Sequence, residues 1–254
     1  MLLIWGKKYS HKHLGYVADF CPICREPQAF RLRRTKLVPH FWYIPTGSGV
    51  FVCNERRCGV CGVDFNADTT RYQAIARQSG SFAHLKPQPF PTFDDVERNR
   101  LQVEAVIRKD PRSLPARDRH VLIRQPLELL SSRVEAHSRA THVDREVGLT
   151  FIVAVLAIWA GVALATRFAP DNSDAIVLAL LGLSVVAVFV QFLFTGRRYL
   201  RREIGPLLVR ALKPLKPTRA EVDRAVADMK EARHKIGSKL DVGHLMRQLD
   251  APRA

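Results

Sequence analysis

Two stretches of the chain have no polar rhythm at all. Residues 147–166 (VGLTFIVAVLAIWAGVALAT) and 175–195 (AIVLALLGLSVVAVFVQFLFT) run for 20 and 21 positions without a charged side chain. A helix that is apolar on every face belongs either in a large core or in lipid. At about 1.5 Å per residue each stretch covers roughly 30 Å, the thickness of a bilayer's hydrocarbon layer. The pattern therefore predicts two membrane spans rather than two core helices. The connector, 167–174, contains Pro170, Asp171 and Asn172 and is short enough to force an antiparallel hairpin. Neither span carries the ionisable groups that usually mark ion or proton pathways. Ser184 and Gln191 are expected to bond to backbone or to the partner helix. Trp159, mid-span, is expected to pack rather than to sit in an interfacial belt.

Before the spans the rhythm changes. Residues 29–37 alternate, with Phe30 and Leu32 against Arg31, Arg33 and Arg34. The run 41–44 (FWYI) reads as strand, is stopped by Pro45-Thr46-Gly47-Ser48-Gly49, and resumes at 50–52. Residues 79–93, with Gly80, Pro87, Pro89 and Pro91, read as a linker. Val96, Val103 and Ile107 predict an amphipathic helix over 94–108, and Pro111 and Pro115 interrupt it. Pro126 suits a first helical position, followed by a Leu127, Leu130, Val134 stripe. His137 and His142 read as solvated. Beyond the spans Pro214 and Pro217 break the chain. Thr218 with Glu221 forms a capping box ahead of a Val222, Val226, Met229 face, with Gly237 as the expected stop. Val242, Leu245, Met246 and Leu249 mark a last short helix.

The expected fold class is mixed: a small N-terminal β zinc ribbon, a helical linker, a two-helix transmembrane hairpin and a short α-helical C-terminal tail. The corresponding segments are 1–78, 79–146, 147–195 and 196–254.

Charge orients this arrangement. The chain has 40 Lys and Arg against 24 Asp and Glu, a net charge of +16. The excess is +9 over 1–146 and +8 over 196–254, with −1 between them. Arg139 and Arg145 precede the first span, and Arg197, Arg198, Arg201 and Arg202 follow the second, against Arg167 alone in the connector. Positive charge stays on the cytoplasmic side, so both termini are expected there, in an inner (cytoplasmic) membrane crossed twice. The start, MLLIWGKK, is too short an apolar run for a signal peptide.

The cysteines supply the chemistry. All five lie within 21–61, as Cys21-Pro-Ile-Cys24 and Cys58-Gly-Val-Cys61-Gly62, with Cys53 apart. Paired C-x-x-C units suit zinc because each tight turn brings two thiolates within reach of one tetrahedral ion. Disulfides need an oxidising compartment, which the charge argument excludes. A redox C-x-x-C would open a helix after a strand, whereas strand and turn flank both pairs here. Cys21, Cys24, Cys58 and Cys61 are therefore the expected metal ligands, for one structural zinc ion per chain. Cys53 competes with Cys61 for the fourth place and loses because only Cys58 and Cys61 form a short knuckle. His11, His13 and His40 lie near and are not needed.

IWGKKYSHKHLGYVADFCPIC, followed by HFWYIPTG and CGVCG, resembles a bacterial zinc-ribbon family over residues 3–66. The resemblance implies the same four ligands. Longer members are similar in having membrane helices and a tail segment like Lys235-Ile236-Gly237. Arg25 stands where the family's first knuckle usually has glycine, and Cys53 lies in a longer NERR approach to the second. The family brings no known reaction.

Three function classes remain. A closed metal site beside an aromatic strand (Phe41, Trp42, Tyr43), held at a lipid bilayer, favours binding an unidentified protein partner. Arg31, Arg33, Arg34 and Lys36, with Arg56 and Arg57, would alternatively meet nucleic acid or anionic lipid. An enzyme is disfavoured, since no paired acid and base, nucleophile triad or cofactor loop stands out. Asp94-Asp95 reads as a helix N-terminal charge pair.

Overall fold

The computed structural model describes residues 5–41, 44–86, 92–139, 145–168 and 173–251. Trp42, Tyr43, Pro87, Pro89, Pro91, His142, Pro170, Asp171 and Asn172 lie outside them, as do the side chains of Arg139 and Arg145. The chain divides into two compact units, Met1–Leu129 with Leu207–Pro217, and Leu130–Pro206 with Thr218–Ala254.

The first unit is built on an antiparallel sheet. β1 (Trp5–Cys21) and β2 (Glu26–Phe41) form a long hairpin whose turn is the first Cys-x-x-Cys segment. β3 (Ile44–Pro45) pairs with the end of β2. β4 (Val50–Cys58) pairs with β2, and β5 (Asp64–Asn66) with β4, so the second Cys-x-x-Cys segment is also a hairpin turn. The strands extend well beyond the expected ones. The first half of β1 is polar and mostly exposed, carrying Lys7, Lys8, His11, Lys12 and His13, and so leaves no apolar alternation to read. Asn54, Glu55, Arg56 and Arg57 prolong β4 past residue 52 because ladder hydrogen bonds, not apolar faces, hold them.

The sheet's core is Val17, Phe20, Ile23, Phe30, Leu32, Val63 and Phe65. Phe30 and Phe65 meet edge to face, with ring centroids 6.1 Å apart. The Arg56 guanidinium lies 5.3 Å from the centre of the Phe30 ring and pairs with buried Asp19. Tyr72 donates its hydroxyl proton to Asp19 at 3.2 Å. A half-buried arginine is tolerable here because a carboxylate and two rings replace part of its water. Burial still pulls its pKa below the ordinary value and pushes that of Tyr72 above it.

Helices complete this unit, the third of them only as far as Leu129. α1 (Phe82–Leu85) occupies part of the expected linker. α2 (Phe93–Lys109) carries Asp94 and Asp95 in its first turn and Arg108 and Lys109 in its last, each opposing the helix dipole's charge. Its buried face differs from the expected one. Phe93, Glu97, Glu104 and Ile107 face inward, while Val96 and Val103 are exposed. The two glutamates can be buried because Lys86 reaches Glu97 at 2.9 Å and Arg25 grips Glu104. α3 (Ala116–Arg139) begins just after Pro115 and runs through Pro126, which is therefore interior and not a first helical residue. Ile123 continues the buried stripe ahead of Leu127, so packing outweighs the backbone hydrogen bond the proline cannot donate.

In the second unit α4 (Arg145–Phe168) and α5 (Ser173–Tyr199) pack side by side. Both are long and apolar enough to cross a membrane. Their apolar side chains are mostly exposed rather than buried in a core: Trp159 is 74% exposed and Leu178 76%. Trp159 thus points away from the packing it was expected to join. The hydroxyls of Thr150, Thr166 and Thr195 donate to carbonyls one turn back, which hides them within each helix. Gln191 is engaged by Arg198 at 2.5 Å on its own helix, not by the partner helix. Ser184 makes no hydrogen bond through its side chain among the described residues. Glu146, at the start of α4, pairs with Arg202 at 2.6 Å and Arg198 at 3.9 Å, so the two ends meet in register.

A π-helical turn (Leu200–Ile204) carries α5 on into α6 (Gly205–Leu212), which belongs to the first unit from Leu207 onward. His137 stacks on Tyr199 with centroids 3.7 Å apart and is not simply solvated. α7 (Arg219–Glu231) starts on the expected capping box, with Val222, Ala225 and Met229 buried. It ends earlier than expected, at Ala232, with Arg233 in the left-handed region (φ 60°) and the His234 N–H donating to Met229 O at 2.9 Å. Gly237 instead lies inside α8 (Lys235–Lys239), which is followed by α9 (Val242–Asp250). A Cβ at Gly237 would stand 2.5 Å from the Lys230 nitrogen, so glycine is needed for α8 to approach α7. Gly237→Ala should therefore destabilise the tail by about 1–3 kcal/mol, as overpacking does. Hydrogen exchange should show faster opening over 219–239, and unchanged protection there would remove the close-approach argument.

Candidate metal centre

The two Cys-x-x-Cys segments meet because of strand register. Cys21 ends β1 opposite Glu26, and Phe30, four positions along β2, lies opposite Cys58. Both turns adopt the same local form. Arg25 N–H donates to Cys21 O at 2.7 Å, and Gly62 N–H to Cys58 O at 3.1 Å. Cys24 N–H points at Cys21 Sγ and Val60 N–H at Cys58 Sγ, each at 3.4 Å. The residue after each second cysteine is left-handed, Arg25 at φ 58° and Gly62 at φ 67°. Glycine adopts this conformation freely. Arginine does so at a cost of order 1–3 kcal/mol and needs surroundings that hold it there.

All four sulfurs, of Cys21, Cys24, Cys58 and Cys61, lie within 4.8 Å of one another. Cys21 and Cys61 are 3.6 Å apart, and Cys24 and Cys58 3.9 Å. A tetrahedral ion bound by sulfur at about 2.3 Å sets its ligands roughly 3.8 Å apart. The donor set and spacing therefore fit one metal ion. The thiols' acidities are driven apart. Hydrogen bonds from Cys21, Cys24 and then Cys61 hold Cys58 far below the ordinary thiol value, and Cys61 is held down, first by Cys21. Contacts with Cys24, Cys58 and Cys61, in that order, push Cys21 far up. Two sulfurs that ionise keep protons on their neighbours, and a cation between them would remove that conflict.

Cys53 stays outside the cluster. It pairs with Thr35 higher in the ladder, and its thiol lies 3.7 Å from Glu55 Oε1. Burial first, then the Glu55 charge, pushes its pKa up, the reverse of an activated cysteine. His11 bonds to Thr35 at 2.9 Å and His13 packs edge-on against Tyr16. Neither they nor His40 belong to the sulfur cluster. The basic residues of β2 and β4 do not form one free face. Arg33 is held by Glu55 at 2.9 Å and Asp64 at 3.0 Å, and Arg56 lies half-buried against Asp19. Lys36 reaches Ser48 O at 3.4 Å. Arg31, Arg34 and Arg57 are exposed, with Arg31 over Tyr16 and Arg34 over Phe51, each at 5.9 Å.

Sequence reasoning missed the fastening of the first turn. Arg25, 5% exposed, makes a bidentate ion pair with Glu104 of α2, both bonds 2.8 Å, and reaches Ala211 O at 3.5 Å. The grip on Glu104 holds Arg25 in its left-handed conformation and ties the first knuckle to a helix 79 positions away. The one available signal was an arginine at a position the turn reserves for glycine.

Comparison with protein families, with characterised proteins and with solved structures found no match.

Two outcomes follow from the geometry. Elemental analysis should give about one metal ion per chain, retained in Cys53→Ser and lost in Cys21→Ser or Cys61→Ser. Arg25→Gly should relieve the left-handed strain yet destabilise the unit by about 2–4 kcal/mol, because the buried Glu104 loses its partner. Denaturant melts should show Arg25→Gly/Glu104→Gln recovering much of that loss; no recovery would mean the pair does not act as a unit.

Proposed function

We propose that this chain is a membrane-anchored, non-enzymatic zinc-ribbon protein that presents an interaction module at the cytoplasmic face of the inner membrane. What carries the reading is the four-sulfur cluster. Four cysteines fill a tetrahedral shell and leave no open position for water or substrate, which is the pattern of structural rather than catalytic zinc. Zinc is preferred because it takes four thiolates without a geometric demand of its own and because the site joins two turns.

The anchor is α4 with α5. Their exposed apolar faces match lipid, and Glu146 with Arg198 and Arg202 sets the two cytoplasmic ends at one level. Both termini are then cytoplasmic, with the connector outside. Binding another protein is favoured over nucleic acid by the ribbon's surface. Arg33 and Arg56 are spent on internal ion pairs, whereas Tyr9, Ile44, Val50 and Phe51 are exposed apolar side chains at the end remote from the cysteines.

The test has two arms. A thiol-reactive label that cannot cross the membrane should modify Asn172→Cys in intact cells and fail to reach a cysteine placed at either terminus; the opposite pattern reverses the topology. From detergent-solubilised membranes, the tagged chain should co-purify a specific protein that Cys21→Ser loses. Salt-sensitive retention of RNA instead, abolished by Arg31→Ala/Arg34→Ala, would move the reading to nucleic acid.

A further inference from the structure

Just past the last apolar turn of α5, the second unit encloses a cavity of about 280 Å³. That is close to the roughly 300 Å³ at which small-molecule pockets begin. The helix end contributes Arg197, Leu200 and Arg201 to its lining. Lys239 comes from α8, and His244 and Gln248 from α9. The cations differ in how they are occupied. Arg201 is held by Asp241 at 2.9 Å. Arg197 and Lys239 have no anionic partner among the described residues.

Two details make this more than a cluster of surface charge. Lys239 Nζ lies 2.8 Å from where a Cβ of Gly196 would stand, so the bare backbone at the end of the apolar run lets the ammonium lie against the helix. The side-chain oxygen of Gln248 is buried and makes no hydrogen bond. An unmet buried amide is costly and calls for a polar partner. The cavity therefore offers two free cations, an amide in need of a hydroxyl or similar group, and an apolar floor at Leu200 and Leu245.

We propose that this cavity binds a phosphate group bearing a neighbouring hydroxyl, in the form of an anionic phospholipid headgroup. Arg197 and Lys239 take the phosphate and Gln248 the hydroxyl. The proposal rests on α4 and α5 spanning the bilayer, since Arg197 follows Thr195 by two positions and would then lie at headgroup level. Free phosphate presents the same oxygens, and the position at the end of a span selects the lipid.

The full chain, reconstituted in nanodiscs of phosphatidylcholine with a minor share of phosphatidylglycerol, would be released and examined by native mass spectrometry. Bound phosphatidylglycerol should be retained by the parent chain. Arg197→Gln/Lys239→Gln should bind it about 30-fold more weakly, about 2 kcal/mol at 1.4 kcal/mol per decade. Arg224→Gln/Lys230→Gln removes the same charge from the exposed side of α7 and should leave retention unchanged. Circular dichroism checks that each variant keeps its helices. Equal losses in the two double variants would reduce the effect to diffuse charge and overturn the proposal. So would inorganic phosphate saturating the site and excluding the lipid, which would identify a free anion as the ligand. Extraction of the chain by alkaline carbonate tests the membrane reading separately. Release into the soluble fraction overturns that reading and the lipid source with it, whereas firm retention without bound phosphatidylglycerol overturns the cavity proposal alone.

Discussion

Four sulfurs crowded within 4.8 Å are the constraint on which the N-terminal unit depends. Their separation matches the edges of a metal-centred tetrahedron. Everything near them serves to bring the two turns together. The register of β2 against β4 sets the distance, and the paired left-handed residues turn the chain under the sulfurs. A sheet of this size has a modest core, Phe30 and Phe65 with a few aliphatic neighbours. In small metal-binding domains ligation energy is folding energy, of order 10 kcal/mol or more, and a comparable share here would exceed what that core supplies.

The first turn transmits this order outward through Arg25. A strained residue persists only where its surroundings over-determine it, and a bidentate carboxylate does so here. The arrangement makes a buried glutamate on α2 the counterpart of a cysteine turn. The Asp19, Arg56 and Tyr72 cluster ties β1, β4 and the segment after β5 together in the same sheet. There too a half-buried ion pair, poor as a source of net stability, sets which elements meet.

The second unit obeys a different rule. Its two long helices expose most of their apolar side chains, and their threonine hydroxyls are satisfied within the helix. Such surfaces are untenable in water over this length and ordinary in lipid. Charges gather at one end, where Glu146 meets Arg198 and Arg202, and the helices after α5 close around further cations.

The parts legible in the sequence are those whose cause is local. Twenty uncharged positions predict a long apolar helix whatever surrounds them, a Thr218 to Glu221 spacing predicts its cap, and each Cys-x-x-Cys predicts a turn with two converging sulfurs. Even the four cysteines that cluster can be named from the sequence, where spacing alone separates them from Cys53. Register explains the exclusion. Cys53 lies five positions up the ladder from Cys58, about 17 Å at the rise of a strand. Illegible features were those whose cause lies elsewhere in the chain. The polar half of β1 is a strand because β2 pairs with it. Glu97 and Glu104 face inward because Lys86 and Arg25 arrive to meet them, which rotates the buried face of α2 away from Val96 and Val103 while keeping Ile107. Gly237 looked like a helix stop and is a point of contact. Local chemistry sets what a segment can become, but a buried charge, a close approach or a register is settled only by the partner that packing delivers.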